Sequence, residues 1–139
     1  MPRVNFYLLS QNHEQAGAQL ACRLAEKLSR QGMPVSLLTS DETEAQALDR
    51  LLWSYPQESF VPHALITQAP ESVLVVIGWK PEFATAGNLL NLTAGIPPGH
   101  ASLDTIAEFV EDHDDARALS RQKWNQYKQF GYELQHHKV

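Results

Sequence analysis

Arg117, Arg121, Trp124 and Lys128 stand at i, i+4, i+7 and i+11 near the end of the chain. On a helix turning about 100° per residue they fall in one stripe about 60° wide, three cations around one exposed indole. Such a stripe suits binding rather than bond-making. An arginine grips a carboxylate at two points, and an indole adds apolar area at low entropic cost, so an acidic or carboxylate-ended peptide is the natural ligand. The same stripe could stack single-stranded bases, and on a generic helix it would simply be a solvated face compensating the dipole. A second group, Leu52, Trp53, Pro56, Phe60, Val61, Pro62 and His63, gathers around a helix exit. It reads either as a corner of the core or as a rigid platform presenting Phe60 to a partner.

Catalytic groupings are missing. The first strand-to-helix junction, LLSQNHEQAGAQL, has neither GxGxxG nor GxxxxGK[ST], so no glycine-rich cradle faces a phosphate. No serine lies in a GxSxG elbow, and Cys22 falls inside an amphipathic helix where burial as a small hydrophobe is expected. The six histidines form no HExxH pair, and His136 with His137 reads as part of a solvated polar tail. Asn91 and Thr93 form an N-x-T triplet, which has no meaning for glycosylation without secretion. No catalytic residue, metal or cofactor is expected.

The 139 residues, 43% hydrophobic and 19% charged, suit one domain spanning 1–139 whose core needs no disulfide or metal. No apolar run approaches the roughly 20 residues of a membrane span, and MPRVNFYLLSQ lacks the apolar core of a secretory signal. A soluble, reducing, cytoplasmic setting is expected, with no membrane partner. The net charge of -5 argues against a protein that neutralises phosphates, so any link to nucleic acid should run through another protein.

The elements that must position these residues follow from the apolar pattern. Val4 to Leu9 and Pro34 to Thr39 read as strands flanking a helix that carries Leu20, Leu24 and Leu28 and is capped by Gly32. A second helix opens at Ser40 or Asp41, carries Ala47, Leu48, Leu51 and Leu52, and is stopped by Pro56 before a loop or short edge segment containing Pro62. Val73 to Ile77 reads as a central strand buried on both faces, with Leu89 to Leu92 and Thr105 to Val110 as two more. The last element is a helix from about Asp112 to Gly131, packed on the sheet through Ala116, Leu119, Tyr127 and Phe130. The fold class is therefore α/β, a single domain with a mainly parallel central sheet flanked by helices, Rossmann-type and mononucleotide-binding-like but without a phosphate loop.

The opening VNFYLL, the LDRLLW turn leading to ESFVPH, and the closing RALSRQKWNQYKQFGYEL occur in the order and at the spacings of one family. Over nearly its full length the chain resembles the chi subunit family of bacterial DNA polymerase III. That resemblance implies a non-catalytic adaptor of the clamp-loader assembly that binds the acidic C-terminal tail of single-stranded DNA-binding protein, often ending Asp-Asp-Asp-Ile-Pro-Phe. It implies that Arg117, Arg121 and Trp124 line the tail pocket, with Lys128 on the same stripe. Arg121 would meet the terminal carboxylate, and Val110 would help floor the pocket for the terminal Phe. Arg117 stands where Lys also occurs in the family, which keeps charge but changes geometry. The resemblance further implies that Trp53, Phe60, Val61, Pro62 and His63 face the psi subunit, or an iron-sulfur helicase that competes for that surface in some bacteria. Nucleic acid would be met only indirectly. The alternative is a small α/β protein that binds single-stranded DNA directly through its last helix.

Overall fold

Short segments of the chain, most of them apolar, pair into one sheet: Arg3–Leu8 (β1), Val35–Leu38 (β2), His63–Leu65 (β3), Val75–Gly78 (β4), Asn88–Asn91 (β5), Thr105–Val110 (β6) and the polar Glu133–Lys138 (β7). The computed structural model describes residues 2–10, 15–54, 62–67, 73–84 and 86–139. The strand order is β3-β4-β2-β5-β6-β1-β7, and every pairing is parallel. Three helices, Ala16–Arg30 (α1), Glu42–Ser54 (α2) and Asp114–Gln129 (α3), complete the α/β architecture.

The period-2 alternation of the strands divides the core between the two faces of the sheet. On one face Val35, Leu37, Val75, Ile77, Leu90 and Ala107 pack against Ala21, Cys22 and Ala25 of α1 and Ala45, Leu48 and Leu52 of α2. On the other, Val4, Phe6, Leu38, Leu89, Ile106 and Val110 meet Tyr127 of α3. Among the described residues this second face has one α-helix. The rest of its cover comes from crossovers with short 3-10 turns: Phe83, in the 3-10 turn Pro81–Phe83 after β4, and Ile96 and Leu103, on the connection from β5 to β6, pack into the same cluster. Gly78 makes this possible, since a Cβ there would stand 2.7 Å from the Phe83 ring.

Helix ends follow local chemistry. Asp41 caps α2 by accepting from the Glu44 backbone N–H at 2.8 Å, and Gly32, at φ 75°, lets the chain turn after α1. Helix α3 starts two residues later than the charge pattern predicts, because the His113 ring caps it, accepting from the Ala116 N–H at 3.2 Å. Gly131, at φ 84°, ends α3 and redirects the chain.

Three expectations need correction. Val73 to Ile77 was expected as a central strand. The strand is Val75–Gly78, one place from the edge, and Leu74 is exposed. The last element is not the helix. Glu133–Lys138 returns beside β1, with Phe6 opposite His136 and Tyr7 opposite His137, so these histidines belong to an edge strand instead of a solvated tail. Phe130 does not pack on the sheet; it is 44% exposed and stacks on His100 at 4.4 Å.

Candidate functional site

Helix α3 lies over the β6-β1-β7 end of the sheet, and it presents two different faces. The outer face carries the basic stripe. Arg117 is already engaged there, with Nη1 donating to Asp112 and Nη2 to Asp114, both at 2.7 Å. The guanidinium holds the Asp114 carboxyl below its usual range, and the hydrogen bond to Asp114 pushes Arg117 upward. These groups are exposed and their pairs are screened by solvent, so the two aspartates orient Arg117 while adding little stability. The Arg121 side chain, one turn on, is exposed and forms no ion pair or hydrogen bond among the described residues, although its charge helps to lower Asp114; the Lys128 side chain near the helix end is likewise exposed without either.

Trp124 is not the freely exposed indole that the helical spacing predicts. It is half-buried, its ring 5.2 Å from Phe6 in a tilted contact and lying flat on His136 at 4.2 Å with 8° between planes. The seventh strand thus supplies a ring that holds the indole in one pose, which pattern reading missed because it assigned no structure there. Val110 ends β6 on the α3 side of the sheet and is 5% exposed. It packs in the core cluster that also contains Trp124 and Ala116.

The inner face of α3 holds a second unpredicted feature, a buried charge. Lys123 is 6% exposed and donates to Glu108 Oε1 and to the Thr93 carbonyl, both at 2.7 Å. Tyr127, fully buried one turn later, donates to the other oxygen of the same carboxylate at 2.6 Å, where Asn91 Nδ2 also donates at 2.8 Å. Burial pushes the Glu108 carboxyl above the usual range against the opposing pull of Lys123, and burial beside Glu108 raises the Tyr127 phenol. No buried side-chain nitrogen or oxygen among the described residues lacks a partner, so the network is complete in itself. A charged residue in the middle of TIAEFV, with Lys123 and Tyr127 at i and i+4 on the opposing helix, was the available signal.

A cavity of about 710 Å³ opens beside this network at the carboxyl ends of β2, β5 and β6. This is where open α/β sheets commonly hold ligands. Its lining includes the carboxylates of Glu44, Glu108, Glu111 and Asp115, while the Lys123 ammonium is spent on Glu108 and Thr93. That charge balance is unsuited to a phosphate. Cys22 is buried with its thiol pushed up to about 12, so it stays protonated at neutral pH. Among the described residues no group of three His, Cys, Asp or Glu could hold a metal ion, and no helix is long and apolar enough to cross a membrane.

The second cluster lies at the far edge of the sheet. Trp53, at the end of α2, is 59% exposed, its ring 4.7 Å from that of His63. His63 is buried in the edge strand β3, with Nε2 3.1 Å from the Asp49 carboxylate, and Pro62 before it is exposed. Phe60 and Val61 lie outside the described residues. From β3 to β7 the sheet spans six interstrand steps of about 4.8 Å, and the two candidate surfaces lie toward its opposite edges.

Comparison with known proteins matches residues 1–135 to a family described as "DNA polymerase III chi subunit, HolC". The chain is similar to the DNA polymerase III subunit chi of Pseudomonas aeruginosa, with 37% identity over all of this chain and 98% of that protein. It is 30% identical to the subunit chi of Escherichia coli over 96% of each chain. The Haemophilus influenzae subunit chi is likewise 30% identical, over 93% of this chain and 92% of its own.

Proposed function

Because the chain belongs to the DNA polymerase III chi subunit family, we propose that it is a non-catalytic cytoplasmic adaptor, a single domain that binds the acidic C-terminal tail of single-stranded DNA-binding protein through α3. In this reading the far edge, around Trp53 and Pro62, receives psi or a competing helicase and so links the tail to the clamp loader. The observation that carries the reading is Arg121, an exposed guanidinium with no acidic partner among the described residues, beside an indole held half-open by His136. A terminal carboxylate can be gripped by Arg121 while an adjacent aromatic side chain lies on Trp124 and Val110. Preceding aspartates meet Lys128 and the part of Arg117 not shared with Asp112 and Asp114. The net charge of -5 repels a bare nucleic-acid backbone, so attraction of an acidic ligand has to come from a local group of cations such as this stripe.

The test is fluorescence anisotropy with a labelled peptide ending Asp-Asp-Asp-Ile-Pro-Phe. Binding is expected at micromolar strength, weakening as salt rises. Arg121→Ala should weaken it roughly 10- to 100-fold, from the loss of a charge-assisted hydrogen bond worth about 1.5–3 kcal/mol. Unchanged affinity in that variant would remove the pocket assignment. Quenching of tryptophan fluorescence by an oligonucleotide, with an inert peptide, would instead favour direct single-strand binding.

A further inference from the structure

We propose that Glu108, Lys123 and Tyr127 form a positioning device that fixes the rotation of α3 on the sheet and thereby sets where Arg121 and Trp124 stand. The proposal rests on the tail-binding reading above. A helix held only by apolar contacts can turn or slide at small cost, since the hydrophobic effect is non-directional. A carboxylate has two oxygens with preferred directions. Lys123 takes Oε1 and Tyr127, one turn later, takes Oε2, at 2.7 and 2.6 Å. Two points along the helix axis are therefore tied to one residue in the middle of β6, and the ammonium is also tied to the Thr93 carbonyl beyond β5. Rotation and axial slide are both restrained.

The restrained face and the binding face are geometrically coupled. At about 100° per residue the stripe is centred about 110° round the helix from Lys123 and Tyr127. With side chains at a radius of about 5–6 Å, a turn of 20° displaces the stripe by about 2 Å. That is enough to misalign a two-point grip on a carboxylate. The Trp124 ring lying on His136 at 4.2 Å reports the same alignment, because one ring belongs to α3 and the other to β7. A buried ion pair adds little net stability over apolar residues of similar volume; its distinctive contribution is a single allowed geometry.

The test replaces the network with apolar residues, E108L/K123M/Y127F, in full-length protein carrying fluorotryptophan. Three fluorine resonances are expected, for Trp53, Trp79 and Trp124, assigned by Trp124→Phe. The triple variant should melt at or above the wild-type temperature and bind the tail peptide about tenfold more weakly. Its Trp124 resonance should broaden or split while the other two keep their positions. A folded triple variant with wild-type affinity and one sharp, unshifted Trp124 resonance would overturn the proposal. So would weaker binding without any change in that resonance. Should the triple variant not fold, Tyr127→Phe deletes one of the two oxygen contacts and keeps the ring. It should weaken the peptide two- to fourfold and shift the Trp124 resonance, and no change in both would be equally fatal. If wild-type protein does not bind the peptide, the tail reading fails, while the fluorine comparison still decides whether the network sets the helix pose.

Discussion

Lys123→Met is the most informative single perturbation of this molecule. Methionine keeps most of the side-chain volume and deletes only the ammonium, leaving the Glu108 carboxylate buried with donors from Tyr127 and Asn91 alone. The two side chains of the ion pair are 8% and 4% exposed, so solvent cannot compensate the remaining charge. Breaking such a pair from one side costs about 3–5 kcal/mol, a large share of the 5–15 kcal/mol that holds a typical domain together. At a urea slope of about 2 kcal/mol per molar, the unfolding midpoint should fall by roughly 2 M. The loss should also depend on pH with a definite sign. Burial already holds Glu108 above the usual carboxylate range, and removing Lys123 takes away the largest opposing influence. With the folded value above the unfolded one of about 4.3, the unfolded chain releases its proton first as pH rises. The penalty is therefore absent below about pH 4.3 and accumulates as pH climbs toward the folded value, at no more than about 1.4 kcal/mol per pH unit. Urea titrations of variant and wild type at pH 4.5 and pH 8 should show the smaller gap at the acidic end. A gap below 1 kcal/mol at pH 8, or an equal gap at both pH values, would refute the account of Glu108 as an ion held by Lys123.

Other consequences concern single rings and thiols. His136→Ala removes the flat contact on Trp124; an aromatic pair of this kind is worth about 0.5–1.5 kcal/mol, so the melting temperature should drop by a few degrees and tail-peptide affinity about twofold. A larger loss of affinity than of stability would place His136 in direct contact with the peptide. Cys22, fully buried with its thiol pushed up to about 12, should react with a disulfide reagent at pH 8 only at the rate of unfolding. Rapid labelling of native protein would contradict its place between α1 and the sheet.

The parts of the fold that were legible in the sequence are those with a strong apolar signal. VNFYLL, PVSLLT and TIAEFV became β1, β2 and β6, and the leucines at every fourth position in the first helix marked its buried side. The seventh strand was not legible because Glu133–Lys138 carries one aliphatic side chain, Leu134; an edge strand with four of its six residues exposed needs no more. Lys123 was missed for the opposite reason. In a helix rich in cations its type signals nothing, and its burial depends on Glu108 in the strand beneath it and on the Thr93 carbonyl, both distant in sequence. The basic stripe was legible in outline, since spacing alone placed Arg121 and Trp124 on one side of the helix. Its state was not: Arg117 is shared with two aspartates that cluster at the helix start, and Trp124 is held by a strand that the pattern did not reveal.

The division of α3 into a charged inner anchor and a charged outer stripe bears on how a weak contact can still be specific. A short acidic peptide gains little from buried area, so its affinity depends on groups that are already in place when it arrives. Flexible lysines and arginines on a freely turning helix would each have to be ordered by the ligand, at roughly 0.5–1.5 kcal/mol per side chain. Here Arg117 is braced by Asp112 and Asp114, the indole is held by Phe6 and His136, and the helix beneath them is tied to Glu108. In the adaptor reading Arg121 and Lys128 are the side chains that then remain to be ordered. Such a site need only reach micromolar strength, because a second contact toward the far edge of the same sheet turns rebinding into an intramolecular event.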